Sequence, residues 1–424
     1  MRISSIISEY NPFHEGHKYH MEKTKKITNS DYTIVIMSGN FTQRGTPAII
    51  DKYARTKQAL LNGADLVLEL PVCFATASAE GFAYGAVSIL DKLGVVDNLV
   101  FGSECGDIEI LKTIADFLTK ESPEYKEQLQ NYLKQGLSYP KARANVLEVF
   151  FPKLDKKLLS SSNNILAIEY CRALKHFNSS IVPMTITRKD NLYNDEELAE
   201  NGKLSSATAI RNALLDSSNL FDTVLAHMPE NSLNVLKDNW EIAAPVCSND
   251  FSLLLKYKLL LETRETLVQY LDVTSDLADR IYNNLNLYRD FDSFCELLKT
   301  KEMTHTRISR SLLHILLDIK KDEYKLYKTS NINNGASPNI NNGYGQYARI
   351  LGFRKEAAPL LREIKNNSSV PLISKLSDSV RDLDDVALSM LQKDIQVSHI
   401  YESVVADKFH QEFKNEFKRQ LVII

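Results

Sequence analysis

The chain has 424 residues, of which 44% are hydrophobic and 25% are charged, and its formal net charge is −3. Its length exceeds that of one ordinary domain, and its globular composition excludes a disordered or fibrous protein. Because the molecule as a whole is not basic, any binding of RNA requires a local basic face.

The first half of the chain alternates segments of strand and helix character. Short apolar runs predict strands at residues 2–8, 32–37, 65–70, 98–102 and 181–188. Amphipathic stretches predict helices up to residue 27 and at residues 52–62, 75–93 and 164–177. This alternation is typical of βαβ units around a parallel sheet that is covered on both faces.

The pattern changes near residue 215. Apolar residues spaced by three and four predict helices from residue 220 to 328, and an Asn- and Gly-rich segment at residues 329–345 predicts a flexible loop. Helical patterning resumes from Tyr347. The predicted architecture is a Rossmann-like α/β domain over residues 1–217, followed by a mainly α-helical domain over residues 218–424.

The cysteines and the first residues narrow the class of protein. The five cysteines are scattered and form no CxxC pair, so neither a disulfide framework nor a zinc site is expected. The apolar run at residues 3–7 is too short for a signal peptide or a membrane span. We therefore expect a cytoplasmic protein with no membrane partner.

The segment His14-Glu15-Gly16-His17 lies between the first predicted strand and the first predicted helix. Ligands of parallel sheets bind beyond the carboxyl ends of the strands, where a helix N-terminus offers free N–H groups to phosphate. Two imidazoles three residues apart can donate hydrogen bonds there, and Gly16 allows close approach. The segment resembles the HxGH signature of the nucleotidyltransferase superfamily. The alternatives are two surface histidines, or a metal site for which no third ligand stands at a matching spacing.

Further segments are expected around the same edge of the sheet. Residues 203–211 resemble the second motif of that superfamily, in which Ser206 and Arg211 would contact phosphate, although these serines also suit a helix N-cap. Gly102 ends the fourth predicted strand and Arg188 ends the fifth.

A long polar loop follows the second predicted strand and is placed to hold a second substrate. Its candidate residues are Gly39, Asn40, Gln43 and Asp51. For Asp51, capping of the following helix is an equal alternative.

Longer blocks carry a more specific resemblance, to the bacterial tRNA(Met) cytidine acetate ligase family. They span nearly the whole chain in a distinctive order. The blocks are residues 9–17 (EYNPFHEGH), 37–45 (MSGNFTQRG), 162–166 (SNNIL), 206–211 (SATAIR), 306–310 (TRISR) and 347–353 (YARILGF).

The resemblance implies a two-step reaction. Acetate and ATP would form acetyl-adenylate and pyrophosphate, and the acetyl group would pass to N4 of the wobble cytidine in elongator tRNA(Met). His14, His17 and Arg211 would be catalytic, stabilising the departing pyrophosphate, and Mg²⁺ is expected to accompany ATP. No DNA partner is implied.

The resemblance also implies a set of nucleotide contacts. They are Ile7, Ser8, Glu9, Tyr10, Asn11, Pro12, Phe13, His14, Glu15, Gly16, His17, Lys18, Tyr19, His20, Gly102, Asn163, Arg188 and Ser206. Because Ser162 stands where the family is expected to have proline, Asn164 stays open as an alternative to Asn163.

The candidate contacts to tRNA are cations of the helical half, interleaved with aromatic residues that suit base stacking. They are Arg307, Arg310, Arg349, Arg354 and Lys355. The same pattern also fits a solvated helix face, and it is the family resemblance that favours RNA.

Two other functions stay open. One is adenylylation of a small phosphorylated metabolite, which would need little beyond the α/β domain. The other is a non-catalytic RNA-binding protein on the same fold, against which the presence of His14, His17 and Arg211 speaks.

Overall fold

One sheet organises the molecule. The computed structural model describes residues 1–188, 197–198, 204–216, 220–329, 343–379 and 383–424. The strands in these ranges are β1 Ile3–Ser8, β2 Tyr32–Ser38, β3 Leu66–Leu70, β4 Asn98–Ser103, β5 Val182–Thr187, β6 Ala348–Phe353, β7 Leu372–Ile373 and β8 Val422–Ile423.

The strands have the order β5-β4-β1-β2-β3-β6-β7, and β8 also pairs with β6. Strands β1 to β5 run parallel to one another. In contrast, β6 is antiparallel to β3, with Leu66 opposite Phe353 and Glu69 opposite Arg349. The five parallel strands therefore end at one carboxyl edge, whereas the segment after β6 lies at the opposite edge.

Helices connect the parallel strands and make up most of the second half. Before β5 they are α1 Glu15–Thr28, α2 Lys52–Leu61, α3 Val72–Ala75, α4 Ala79–Lys92, α5 Ile108–Lys120, α6 Pro123–Lys134, α7 Tyr139–Phe150, α8 Lys156–Ser160 and α9 Ser162–His176. Between β5 and β6 they are α10 Ala207–Asp216, α11 Leu220–Val224, α12 Glu230–Asn239, α13 Ser252–Leu260, α14 Arg264–Leu267, α15 Ser275–Asn284, α16 Phe291–Leu298, α17 His305–Leu316 and α18 Lys321–Thr329. After β6 they are α19 Ala358–Asn367, α20 Leu376–Ser379 and α21 Asp385–Phe409.

Both faces of the sheet are buried. Along β2, Ile34 and Ile36 join the larger core with α4 and α9, whereas Val35 and Met37 join a second core under α1 and α2. This alternation follows from the two-residue period of a strand. A third core packs α10 and α12 against α2. A hydrogen bond from Arg211 on α10 to Asn11 O links α10 to the turn before α1.

The predicted Rossmann-like sheet and the mainly helical second half are confirmed. The predicted helical pattern from Tyr347 is wrong at its start, because Ala348–Phe353 is strand β6. A short apolar run fits either period, and here pairing with the edge of β3 selects the strand.

The division at residues 217 and 218 remains a prediction, although β6, β7 and β8 bring part of the second half into the sheet. Lys203 and most of the Asn- and Gly-rich segment lie outside the described residues. None of the described helices combines the length and the apolar composition that a membrane crossing requires.

Candidate active site

The HxGH turn joins the carboxyl end of β1 to the start of α1. His14 is the N-cap residue, and its Nδ1 accepts a hydrogen bond from Gly16 N at 3.1 Å. The Nδ1 of His17 accepts one from His14 N at 3.2 Å. The two rings lie against each other, with centroids 3.7 Å apart. A Cβ on Gly16 would lie only 2.9 Å from His14 Cε1, so the packing of these rings requires glycine.

The same hydrogen bonds determine which ring nitrogens face the ligand. Because both Nδ1 atoms accept backbone hydrogen bonds, each neutral ring carries its proton on Nε2. Both rings line one pocket at the carboxyl edge of the sheet. His14 and His17 can therefore each donate an N–H bond to an anion, beside the N-terminus of α1.

Burial keeps these imidazoles neutral. It lowers the pKa of His14 to about 3, with further contributions from Arg188 and Arg211. It also lowers the pKa of His17 well below its ordinary value, and that of His20 to about 4. Within the described residues, the buried Nε2 of His20 has no hydrogen-bond partner. Neutral donors beside guanidinium groups suit a pocket that receives a polyanion.

The second predicted motif lies at the start of α10. Ser206 Oγ accepts a hydrogen bond from Ala209 N at 3.0 Å, so it is both a cap and a residue of the pocket wall. Arg211 Nη1 donates to Asn11 O at 2.7 Å, which ties α10 to the turn before His14.

A histidine that the sequence analysis missed joins the two motifs. His227 Nδ1 is 3.0 Å from Ser205 Oγ, and its carbonyl oxygen accepts a hydrogen bond from Glu15 N at 3.0 Å. Burial lowers the pKa of His227. No motif surrounds His227 in the sequence, so only the fold reveals this link.

The opposite wall is built on β4, β5 and α9. A Cβ on Gly102 would lie 3.2 Å from Arg188 Cγ, so the glycine leaves room for that arginine. Arg188 Nη1 contacts Asn163 Oδ1 at 3.4 Å, and Asn163 Nδ2 donates to Glu104 Oε1 at 2.8 Å. Asn164 is fully buried, and its Oδ1 accepts the backbone N–H of Glu104 at 2.9 Å. The geometry therefore favours Asn163 as the ligand-facing residue.

One pocket collects most of the predicted nucleotide contacts. Those that line it are Ile7, Ser8, Glu9, Tyr10, Asn11, His14, Gly16, His17, Tyr19, His20, Gly102, Asn163, Arg188, Ser206 and Arg211. Four other predicted contacts, although described, do not line it: Pro12, Phe13, Glu15 and Lys18. Phe13 instead packs against the ring of His17, with the two ring centroids 5.5 Å apart.

The predicted second-substrate loop reaches the pocket only in part. Gln43 lines the pocket, together with Thr42, Arg44 and Thr46, which the sequence analysis did not select. The remaining wall includes Phe82 and Tyr170, from α4 and α9. Arg44 could have been found from its place beside Gln43, whereas no local signal marks the two aromatic residues.

Gly39, Asn40 and Asp51 do not line the pocket, and a role for them toward a second substrate stays a prediction. A Cβ on Gly39 would lie 2.5 Å from Glu69 Oε1. Asn40 Oδ1 accepts a hydrogen bond from Lys52 N at 2.8 Å. Asp51 caps α2 and pairs with Arg419, so capping, the alternative reading of this residue, is what the structure contains.

The predicted tRNA contacts separate into groups. Arg307 and Arg310 lie on α17, which packs against the pocket loop through a 2.9 Å hydrogen bond from Ser309 Oγ to Gly45 O. Arg354 and Lys355 follow β6 and so lie at the edge of the sheet opposite to the pocket.

Arg349 is not on a surface, which corrects its prediction as a tRNA contact. Its guanidinium is buried, 2.9 Å from Glu69 Oε2 and 2.7 Å from Glu416 Oε1. Lys52 Nζ contacts the same two carboxylates, at 2.7 Å and 2.6 Å. Burial opposes the charge on Arg349, but the neighbouring carboxylates raise its pKa above the ordinary value. We call these four residues the buried ion cluster.

Comparisons with known proteins agree with this geometry. The model of the HIGH Nucleotidyl Transferase family matches residues 1–416. A tRNA(Met) cytidine acetate ligase from Clostridium perfringens is 42% identical over 95% of both chains, and one from Acetivibrio thermocellus is 40% identical over the full length of both. The structure of Thermotoga maritima TmcAL bound with alpha-thio ATP superposes with a TM-score of 0.89 at 31% identity, covering 100% of both chains. The chain therefore belongs to the tRNA(Met) cytidine acetate ligase family of HIGH nucleotidyl transferases.

Proposed function

We propose that the chain is an ATP-dependent tRNA(Met) cytidine acetate ligase. It activates acetate as acetyl-adenylate and transfers the acetyl group to N4 of the wobble cytidine in elongator tRNA(Met). The observation that carries the proposal is the pair of neutral imidazoles, His14 and His17, beside Arg211 in the wall of one pocket. A cytoplasmic location accompanies this function, because ATP and mature tRNA are available there.

In the first step, an acetate oxygen attacks the α-phosphorus of ATP, and the bond to pyrophosphate breaks. Negative charge grows on the departing pyrophosphate. The Nε2–H groups of His14 and His17 and the guanidinium of Arg211 are placed to stabilise it. One preorganised donor of this kind contributes about 10²–10³-fold in rate. No covalent nucleophile is needed.

The described residues offer no ready-made metal site. No three of their His, Cys, Asp or Glu side chains cluster in a way that could hold an ion. Mg²⁺ would therefore be held by the phosphate oxygens of ATP and by water, as is usual for this ion. We assign no step of the reaction to protein-bound metal.

For the tRNA, we propose that the helical part of the chain supplies the binding surface near the pocket. Arg307 and Arg310 on α17 are favoured, because α17 packs against the loop that lines the pocket. Arg354 and Lys355, at the opposite edge of the sheet, could contact only a part of the tRNA remote from the wobble base.

The direct test incubates the purified protein with ATP, labelled acetate and bulk tRNA and measures label at cytidine. Acetate-dependent labelling of elongator tRNA(Met) is expected, with release of one pyrophosphate per acetyl group. ATP binding without any labelling of tRNA would refute the function. Pyrophosphate release that depends on a phosphorylated metabolite instead of acetate would assign the chain to metabolite adenylylation.

A further inference from the structure

The pocket contains one carboxylate that its anionic ligands do not explain. Of the described residues that line the pocket, Glu9 is the only acidic one, and the cations Arg44, Arg188 and Arg211 face the same space. Acetate and the phosphates of ATP would be repelled by Glu9. A carboxylate in this position is better suited to a ligand that brings hydrogen-bond donors.

Glu9 is held firmly at the end of β1. Its Oε1 accepts a hydrogen bond from Gln43 N at 2.7 Å, and its carbonyl oxygen accepts one from the buried Arg55 Nη1 at 2.6 Å. Its Oε2 accepts no hydrogen bond from the described residues and remains available to a ligand.

The side of the pocket on which Glu9 lies is the side that borders α17. Gln43, which holds Glu9, belongs to the loop whose Gly45 rests on α17, and a Cβ on Gly45 would lie only 2.3 Å from Arg310 N. The proposed tRNA surface on α17 is therefore next to Glu9. Ser206 and Arg211 belong to a different wall, because they reach the HxGH turn from α10.

We propose that the Glu9 carboxylate binds the exocyclic amine of the acceptor cytosine and takes its proton during acetyl transfer. Carboxylates are the side chains that accept hydrogen bonds from cytosine N4. This inference rests on the proposed function and assigns a residue to its second step.

The N4 lone pair attacks the carbonyl carbon of acetyl-adenylate and a C–N bond forms. The C–O bond to the phosphate of AMP then breaks, AMP leaves with the electron pair, and one N4 proton passes to Glu9. The N4 lone pair is delocalised into the ring, so removal of this proton matters. The histidines are poor acceptors, because burial depresses their pKa and their Nδ1 atoms are occupied.

The test separates the two half-reactions in the full-length protein. Acetate-dependent ATP–pyrophosphate exchange reports adenylate formation, and single-turnover transfer of label from preformed acetyl-adenylate to tRNA reports the second step. For Glu9→Gln, the ratio of transfer rate to exchange rate should fall about 100-fold or more, which is the contribution of a general base. Glu9→Asp should recover part of the ratio, and Glu22→Gln, an exposed acid on α1, should leave it unchanged.

Two results would overturn the inference. One is a Glu9→Gln ratio within threefold of the wild-type ratio. The other is a variant whose only defect is a raised KM for ATP, which would make Glu9 a ribose contact. Retained exchange shows that the variant is folded. If the wild-type protein itself failed to label tRNA, the proposed function would fail instead, and the two failures are thus distinguishable.

Discussion

Two charged regions of this molecule use the same residue types for opposite purposes. At the carboxyl edge of the sheet, Arg188 and Arg211 face a pocket that is lined by neutral histidines. Of the described residues that line it, one is acidic, Glu9. In the buried ion cluster, Lys52 and Arg349 are enclosed and contact the carboxylates of Glu69 and Glu416. In the first region the cations line a pocket that a ligand can enter, whereas in the second they are neutralised inside the fold. A cation in the sequence therefore indicates function only when its surroundings are known.

The largest effect is expected for a substitution that breaks the buried ion cluster. Arg349→Ala leaves Glu69 and Glu416 short of a partner, and loss of one member of a buried pair costs about 3–5 kcal/mol in the free energy of unfolding. Urea unfolding followed by circular dichroism measures it. The control is Lys355→Ala, another residue that the sequence suggested for tRNA but which is exposed, with a change within about 0.5 kcal/mol. Normal stability with weaker tRNA binding in the Arg349 variant would restore the surface role.

The second-largest effect is expected on the exchange rate of variants of the two pocket histidines, His14 and His17. His14→Ala or His17→Ala removes one Nε2–H donor, and acetate-dependent ATP–pyrophosphate exchange should fall about 10²–10³-fold, or about 2.7–4 kcal/mol. His305→Ala on α17, whose side chain does not line the pocket, is the matched control. Exchange rates that stay within a few-fold of wild type in both pocket variants would exclude them as catalytic donors.

The third prediction compares two neighbouring asparagines, Asn163 and Asn164, in the first turn of α9. Asn164→Ala leaves the half-buried backbone N–H groups of Glu104 and Cys105 without their acceptor, so the free energy of unfolding should fall by about 1–3 kcal/mol. Asn163→Ala should instead raise the KM for ATP about tenfold, the effect of one hydrogen bond of about 1.4 kcal/mol. A reversed pattern would make Asn164 the ligand contact.

The smallest effect is expected on tRNA binding, and it compares the cations on α17 with those that follow β6. Arg307→Ala should weaken tRNA binding and reduce the slope of log K against log salt by about 1, without slowing pyrophosphate exchange. Lys355→Ala, at the opposite edge of the sheet, should change the slope less. Filter binding over a salt series measures both. Equal slopes for the two variants would contradict the placement of the tRNA beside α17.

The parts of the fold that the sequence predicted are those with local causes. The five parallel strands were found because each is a short apolar run between turn residues, and the HxGH turn because strand, glycine and helix start are contiguous. Gly102 and Arg188 reach the same pocket because parallel strands share one carboxyl edge.

The parts that escaped prediction depend on distant segments. Arg349 resembles a surface cation until Glu69 and Glu416 are seen around it, and β6 resembles a helix until β3 offers it an edge. His227 has no motif of its own, and neither Phe82 nor Tyr170 belongs to a block that the sequence marks as a nucleotide contact. The sequence contains no short-range pattern for such contacts.

The position of Glu416 has a consequence for synthesis of the protein. Strand β6 pairs with β3 on one side and with β8, at residues 422–423, on the other. On the ribosome, β1 to β5 can pair early, but Lys52 and Arg349 receive their second carboxylate only when residue 416 has emerged. Lys52 and Glu69 balance each other before that point, so the positive charge that Arg349 brings into the interior is the one that stays unbalanced until Glu416 is made.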